Sequence, residues 1–303
     1  MYDYSVLDAA LKAADIHYME NEPMCHHTTF KIGGAADRFI ILENSHALQT
    51  VLRLLKETGI PYMVLGNGSN MLVPDEGLRG AVLSLQGEFK KITLQEERKI
   101  VCGSGAMLAT LCNFARNNSL SGLEFAWGIP GAVGGALYMN AGAYGGEMQQ
   151  VTTRVFYVDE DGKQGVFSGE ELQFGYRKSV FMNRKAVIVK AEFELQHGVE
   201  AEITALMDDL MQRRKSKQPV ELPSAGSVFK RPEGHFAGAL IEQCSLKGYT
   251  VGGACVSEKH AGFIVNVDHA TCADVEALIE YIQDVVMQQT GVMLEPEVRR
   301  VRL

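Results

Sequence analysis

The sequence lacks any long apolar run, and this absence excludes one large class of protein. No stretch of its 303 residues approaches the roughly 20 apolar residues that a membrane-spanning helix needs. The first twenty residues, "MYDYSVLDAALKAADIHYME", carry acidic and polar side chains where a secretory signal would be basic and then apolar. We therefore expect a cytoplasmic protein with no membrane partner.

An excess of basic residues is also missing. The net charge is −8 at pH 7, whereas a nucleic-acid-binding protein presents a basic face, so no nucleic-acid partner is expected. The local basic run "RRKSK" at 213–217 ends a helical pattern, where cations complement the helix dipole. Anion binding is the alternative role for this run.

The cysteines form no metal-binding or disulfide pattern. No Cys-x-x-Cys pair and no His at ligand spacing accompanies them, so neither a zinc site nor a disulfide framework is expected. We expect reduced, mostly buried thiols and no bound metal. The six cysteines are Cys25, Cys102, Cys112, Cys244, Cys255 and Cys272.

Apolar periodicity predicts five helices and a series of strands. The helical segments are 5–15, 45–58, 107–118, 199–217 and 272–291, and the strand segments are 35–42, 62–66, 79–85, 89–94, 99–105, 152–167 (a hairpin), 185–195 and 297–303. Ser45 is the predicted cap of the second helix, and Gly59 ends it. Alternation predicts that one face of the strand at 185–195 carries Val187, Val189, Ala191, Phe193 and Leu195. The character of the chain changes near 197–200, where we expect a domain boundary.

Glycine is concentrated in "GIPGAVGGALYMNAGAYGGE", residues 128–147, which contains seven glycines. Such bare backbone lets several N–H groups converge on a phosphate, with Pro130 in the first turn of a short helix. Close packing without a ligand is the alternative. A second candidate cradle, "LGNGSN" at 65–70, follows a predicted strand. The Rossmann fingerprint is not met, because Gly66-x-Gly68-x-x-Met71 lacks the third glycine, as does Gly103-x-Gly105.

Six motifs in order carry a specific resemblance. They are "HTTFKIGG" (27–34), "LGNGSN" (65–70), "GLEFAWGIPGAVGGALYMNAGAYGGE" (122–147), "FGYRKS" (174–179), "SAGSVFK" (224–230) and "LEPEVR" (294–299). Together they resemble the UDP-N-acetylenolpyruvoylglucosamine reductase family, in its shorter subtype.

The resemblance implies an α+β fold with two domains. Residues 1–197 would form a two-part FAD-binding domain of the vanillyl-alcohol-oxidase (PCMH) type, with subdomains of about 1–66 and 67–197. Residues 198–303 would form an α+β substrate-binding domain, and it stays open whether the last strand returns to the FAD-binding domain. The implied reaction is NADPH-dependent, FAD-dependent reduction of an enolpyruvyl UDP-sugar, a cytosolic step of peptidoglycan precursor synthesis.

The resemblance also implies the residues that contact a non-covalent FAD. They are Gly66, Asn67, Gly68, Ser69, Asn70, Gly128, Pro130, Gly131, Gly134, Gly135, Asn140, Gly142 and Ala143. Many relatives carry Ser or Thr where this chain has Ala132, so a hydroxyl contact to the cofactor is not expected there.

The implied chemistry needs a group that holds an anion and a group that donates a proton. A guanidinium binds a carboxylate in a planar fork, and Arg177 matches the family's arginine. Ser227 matches the proton donor, with Lys230 as a nearby cation, and Glu297 matches the residue that stabilises the enol-like intermediate. Further predicted substrate contacts are Lys217, Lys230 and Tyr176.

Three other functions compete with this interpretation. Ser227-x-x-Lys230 fits the acyl-transfer motif of penicillin-binding proteins, but the Ser-Asp-Asn and Lys-Thr-Gly partner motifs are missing. A flavin-dependent oxidase or dehydrogenase with another substrate would share the FAD scaffold. A non-catalytic nucleotide-binding module is the third alternative.

Overall fold

A computed structural model describes residues 2–303, and its longer helices lie where the sequence predicts them. The helices are α1 (Ser5–Ala13), α2 (Ser45–Thr58), α3 (Leu108–Asn117), α4 (Val133–Tyr138), α5 (Glu200–Lys217), α6 (Ala237–Gln243) and α7 (Cys272–Thr290). Asn44, not the predicted Ser45, caps α2, because its side chain accepts a hydrogen bond from the Ala47 amide at 2.9 Å. Gly59 ends α2 at φ 67°, as predicted.

The strands combine into three larger sheets and several short ladders. They are β1 (Tyr18–Pro23), β2 (Ala35–Leu42), β3 (Tyr62–Leu65), β4 (Met71–Leu72), β5 (Leu78–Leu85), β6 (Ile92–Gln95), β7 (Lys99–Gly103), β8 (Leu120–Ser121), β9 (Gly142–Ala143), β10 (Gly146–Glu147), β11 (Thr152–Asp159), β12 (Gln164–Ser168), β13 (Ala186–Glu194), β14 (Gln196–His197), β15 (Ser224–Ser227), β16 (Thr250–Val251), β17 (Ala254–Val256), β18 (Phe263–Asn266) and β19 (Arg299–Arg300). The sheet orders are β1-β2-β5-β3, antiparallel β12-β11-β13-β7-β6 and antiparallel β15-β18-β17-β16. This mixture of helices and mainly antiparallel strands confirms the predicted α+β class.

Backbone contacts divide the chain into two compact units, each assembled from separate stretches of sequence. The N-terminal unit comprises the described residues up to Glu20, Arg38–Asn67 and Gly80–Gln212; the C-terminal unit comprises Asn21–Asp37, Gly68–Arg79 and Arg213–Leu303. A single boundary near 197–200, as expected from the sequence, would place the stretches Asn21–Asp37 and Gly68–Arg79 in the N-terminal unit. Local composition carries no trace of short segments that pack with residues distant in sequence.

Two hydrophobic clusters stabilise the N-terminal unit. The first cluster gathers α1, α2 and the sheet that contains β2 and β5, with Leu48, Leu52 and Leu83 fully buried. The second cluster lies between the five-stranded sheet and helices α3, α4 and α5, with Leu111 and Phe193 fully buried. Both clusters use residues of β13, which therefore belongs to two cores.

The side chains of β13 change faces at a bulge. Opposite β11, Phe156 pairs with Lys190 and Tyr157 pairs with Ile188, so the register passes over Val189. A bulge of one residue inverts the inward and outward alternation beyond it. The predicted single apolar face is therefore wrong. The side chains of Val187 and Val189 belong to the first cluster, whereas Ile188, Ala191, Phe193 and Leu195 belong to the second.

The C-terminal unit has its own core, in which α6 and α7 pack on the sheet β15-β18-β17-β16. Ile241, Val256, Leu278 and Ile282 lie fully buried in this core. The predicted final strand at 297–303 is short, since only Arg299–Arg300 pairs, in parallel, with β4. Within residues 2–303, no helix combines the length and the apolar character that crossing a membrane requires.

Candidate active site

The two glycine-rich loops predicted from the sequence meet in the N-terminal unit. The Asn67 side-chain amide donates a hydrogen bond to the Pro130 carbonyl at 2.7 Å. A Cβ atom built on Gly66 would lie 3.2 Å from the Cβ of Ala132. Residues more than sixty positions apart in the sequence thus form one surface.

The first amides of α4 are bonded to protein carbonyls. Val133 N–H donates to the Ala106 carbonyl and Gly134 N–H to the Ser104 carbonyl, each at 2.8 Å. Pro130 lies two residues before the N-cap, Ala132, so its predicted place in the first helical turn is wrong. The acceptors of these two amides both lie in the loop after β7. Within residues 2–303, the Gly135 amide is the first-turn N–H that has no protein acceptor.

Gly134 and Gly135 are glycines for different physical reasons. A Cβ on Gly134 would lie 3.0 Å from the Cβ of Ser104, so close packing requires bare backbone there. A Cβ on Gly135 would have no atom within 4 Å, and this residue is exposed. A phosphate or a planar ring has room to approach the Gly135 backbone, so the residues present at this surface fit FAD.

Packing accounts for other glycines of the 128–147 segment. A Cβ on Gly142 would lie 2.7 Å from the Gly146 carbonyl oxygen, and one on Gly146 would lie 2.5 Å from the Phe125 ring. Gly131 accepts a hydrogen bond from Leu108 N–H at 2.9 Å. Close packing, the alternative drawn from the sequence, therefore accounts for Gly142 and Gly146. Of the other predicted cofactor contacts here, Gly128 and Ala143 are half-buried.

Asn140 follows α4 and is fully buried. Its side-chain nitrogen donates to Glu147 Oε2 at 2.9 Å and to the Gly175 carbonyl at 3.1 Å. Its side-chain oxygen accepts from Gln149 N–H at 2.9 Å. The amide joins the end of α4, the β9-β10 ladder and a turn that begins at Gly175.

Arg177 lies at the tip of that turn. Gly175 and Lys178 exchange two backbone hydrogen bonds of 3.1 Å, which leaves Tyr176 and Arg177 as the central residues. Arg177 has φ 53°, a left-handed conformation that costs an L-residue with a side chain about 1–2 kcal/mol. Its guanidinium lies 5.2 Å from the Tyr176 ring centre and 3.5 Å from the Gly142 carbonyl oxygen. Tyr176 is 56% exposed.

Ser227 and Glu297 are neighbours in the C-terminal unit. Glu297 N–H donates to the carbonyl of Val228, the residue after Ser227, at 2.6 Å. The Ser227 hydroxyl lies 3.3 Å from the Phe229 carbonyl oxygen, its nearest acceptor. The Asn70 side chain donates to the Glu297 carbonyl at 3.3 Å, so this predicted cofactor contact also supports the Glu297 segment.

The remaining predicted residues of this unit have varied surroundings. The Lys230 ammonium pairs closely with the Glu295 carboxylate, which neutralises much of the positive charge expected to assist Ser227. Lys217 is the exposed last residue of α5. Gly68 has φ 60°, and a Cβ there would lie 2.3 Å from the His27 carbonyl oxygen, so packing requires this glycine. Ser69, beside it, is half-buried.

His260 is a neighbour of Ser227 that the sequence did not identify. Its Nδ1 accepts a hydrogen bond from Gly262 N–H at 3.1 Å. A Cβ built on Gly262 would lie 3.0 Å from His260 Cε1 and 3.4 Å from Ser227 Oγ, so bare backbone separates the two side chains. Burial lowers the pKa of His260, and the Lys247 charge lowers it further, whereas Glu242 opposes them. A lone histidine before a strand gives no sequence signal of this proximity.

The described residues contain no grouped metal ligands, and their cysteines are free thiols. Across residues 2–303, no three His, Cys, Asp or Glu side chains are grouped to hold a metal ion. The cysteines are free, and Cys102, Cys112, Cys244 and Cys272 are buried. Burial raises the pKa of Cys102 and of Cys112 to about 12, so both remain thiols.

Family models match most of the chain. Residues 36–167 match an FAD-binding domain, and residues 218–301 match the C-terminal domain of UDP-N-acetylenolpyruvoylglucosamine reductase. The chain is 47% identical over 279 residues to the UDP-N-acetylenolpyruvoylglucosamine reductase of Caldanaerobacter subterraneus, and the match covers 92% of each chain. It is 48% identical over 283 residues to a UDP-N-acetylenolpyruvoylglucosamine reductase 2 of Bacillus cereus, covering 93% of this chain and 92% of that one.

A solved structure supports the same relationship. The crystal structure of UDP-N-acetylenolpyruvylglucosamine reductase from Thermus caldophilus superposes with a TM-score of 0.81 at 36% identity. The match covers 94% of this chain and 98% of that one. The predicted fold, a two-part FAD-binding domain with an α+β substrate domain, is confirmed by this match and by the FAD-binding family model.

Gly135→Val tests whether the exposed start of α4 receives the cofactor. A Cβ at this position meets no protein atom within 4 Å, so we expect a wild-type circular dichroism spectrum and an FAD affinity at least about tenfold weaker, or about 1.4 kcal/mol. Gly134→Ala is the contrasting variant, because its Cβ contacts Ser104 and should destabilise the protein whether or not FAD is bound. Stoichiometric FAD in purified Gly135→Val would contradict the assignment.

His260→Asn isolates the titration of His260, because asparagine retains an acceptor for the Gly262 amide. The folded pKa lies below the ordinary 6.5, so the unfolded chain binds more protons between the two values. Folding stability is then lost as the pH falls through this window. Urea unfolding should show a larger loss between about pH 7.5 and about pH 5 in the wild type than in His260→Asn. Equal losses would count against a buried, neutral His260.

Proposed function

Because this chain belongs to the UDP-N-acetylenolpyruvoylglucosamine reductase family, we propose that it reduces UDP-N-acetyl-3-O-(1-carboxyvinyl)glucosamine to UDP-N-acetylmuramate with NADPH. The step belongs to cytosolic synthesis of peptidoglycan precursors. The observation that carries the proposal is Arg177, a guanidinium in a strained turn that contacts the same glycine segment whose exposed backbone fits FAD.

The proposed cofactor contacts lie along the two glycine-rich loops. Gly66, Asn67 and the segment 128–147 form a joined surface in the N-terminal unit, and Gly68, Ser69 and Asn70 continue the first loop. Gly135 offers its backbone to a cofactor, because its amide has no protein acceptor among the described residues and a Cβ there would meet no atom within 4 Å. FAD held by these residues would supply the hydride chemistry for reduction of the alkene, with NADPH as the reductant.

Three side chains have roles in the proposed reaction. Arg177 binds the enolpyruvyl carboxylate and stabilises the negative charge that hydride addition leaves on the adjacent carbon. Ser227 donates a proton to that carbon, which completes the saturated ether. Glu297 stabilises the enol-like form of the carboxylate. The hydrogen bond from the Glu297 backbone N–H to the Val228 carbonyl keeps the Glu297 backbone next to the segment that carries Ser227.

The remaining polar contacts concern the rest of the substrate. We assign Lys217 to the diphosphate, since its ammonium is exposed at the end of α5. Lys230 has less free charge for this role because Glu295 pairs with it. The exposed ring of Tyr176, stacked beside the Arg177 guanidinium, is a further contact for the sugar.

Separating the two half-reactions tests the proposed function. Under anaerobic conditions, NADPH should bleach the yellow protein, and the enolpyruvyl UDP-sugar should then restore the colour with formation of UDP-N-acetylmuramate. UDP-N-acetylglucosamine, which lacks the alkene, should not restore it. Reduced protein that reoxidises only with oxygen would instead indicate an oxidase on the same fold.

Ser227→Ala should affect only the second half-reaction, because no proton donor is needed while NADPH reduces the cofactor. We expect that first step to stay within about a few-fold of wild type, and flavin reoxidation by substrate to slow by ~10²- to 10⁴-fold. Ser227→Cys should recover part of the rate. Ser216→Ala, an exposed serine of α5, is the control. Equal slowing of both steps in stopped-flow traces would mean that Ser227 is not the proton donor.

A further inference from the structure

Two buried side chains tie the turn of Arg177 to the end of α4. Asn140 donates to the carbonyl of Gly175, the first residue of the turn, at 3.1 Å. The Ser179 hydroxyl, just after the turn, donates to the Tyr138 carbonyl at 2.7 Å. Both Asn140 and Ser179 have no exposed surface. The turn is therefore held on either side of Arg177.

The Asn140 side chain has no N–H left for a cofactor. Glu147 Oε2 and the Gly175 carbonyl accept both of its N–H groups, and its oxygen accepts from Gln149 N–H. Glu147 is fixed in turn, because Gln149 donates to its other oxygen at 2.7 Å. Donation from this side chain to FAD, as a form of the contact that the resemblance implied, would require one of its two N–H bonds to break.

Arg177 needs such support because its backbone conformation is unfavourable. At φ 53° it lies in the left-handed region, where only a well-held turn keeps a residue with a side chain. The Gly175 carbonyl is one end of the turn's own hydrogen bond to Lys178 N–H. The Asn140 side chain is a second donor to this carbonyl. It therefore fixes the start of the turn from which Arg177 projects.

We infer that Asn140, together with Ser179, is a positioning residue for Arg177. Through the Gly175 carbonyl it holds the guanidinium where the enolpyruvyl carboxylate binds, and it contributes to substrate reduction without contacting FAD. This inference rests on the proposed function, in which Arg177 binds that carboxylate.

Asn140→Asp is the informative variant. Asn140 has φ 42°, and aspartate keeps the shape of asparagine and tolerates this left-handed conformation. Aspartate lacks both N–H donors, however, and places a charge beside Glu147. We expect FAD content and reduction by NADPH within about twofold of wild type, and flavin reoxidation by the enolpyruvyl substrate about 10- to 100-fold slower. Ser179→Ala should act in the same direction without an added charge, and it carries the test if Asn140→Asp fails to fold.

A binding measurement separates this role from general damage. Calorimetry on the oxidised holoenzyme should show weaker binding of the enolpyruvyl substrate in Asn140→Asp, with wild-type binding of UDP-N-acetylglucosamine, which has no carboxylate. Gln149→Ala, which leaves the Gly175 bond intact, should match wild type in both half-reactions. In an Arg177→Ala background, Asn140→Asp should slow reoxidation no further.

Three results would overturn the inference. They are loss of FAD from Asn140→Asp, equal slowing of both half-reactions, and further slowing of reoxidation when Asn140→Asp is added to Arg177→Ala. Failure of the proposed function is distinguishable, because wild-type reduced enzyme would then not be reoxidised by the enolpyruvyl substrate at all.

Discussion

The candidate site of the N-terminal unit depends on the attachment of α4 to the loop after β7. The hydrogen bonds from Val133 and Gly134 to the carbonyls of Ala106 and Ser104 bring the two backbones close together, and a Cβ at 134 would lie 3.0 Å from the Ser104 Cβ. This attachment fixes the position of α4. It therefore also fixes Asn140, which follows the helix and makes three side-chain hydrogen bonds. The position of Arg177 then follows from the side-chain hydrogen bonds of Asn140 to the Gly175 carbonyl and of Ser179 to the Tyr138 carbonyl.

The C-terminal unit holds its predicted site residues by a related device. Ser227 and Glu297 stand on extended segments that are joined by backbone hydrogen bonds around Val228, and Asn70 reinforces the second segment. Main-chain pairing positions side chains with little freedom, because each bond restricts two backbones at once. Short irregular strands are sufficient for this purpose, as β15 and β19 illustrate.

The sequence predicted features that depend on local patterns. Helical periodicity located α2, α5 and α7, and a glycine with positive φ was correctly assigned to the end of α2. The two glycine-rich loops were also identified, since the concentration of glycine is evident in the sequence itself. Pairing across the chain was not visible. The C-terminal unit's early stretches and the proximity of His260 to Ser227 both arise from contacts between distant residues, which periodicity does not encode.

The inverted alternation of β13 has a consequence for how the N-terminal unit unfolds. One strand supplies Val187 to the first cluster and Phe193 to the second, so loss of β13 removes packed side chains from both clusters. Two regions that share a backbone in this way behave as a single cooperative block. We therefore expect neither of the subdomains that the resemblance implies, about 1–66 and 67–197, to fold as an isolated fragment.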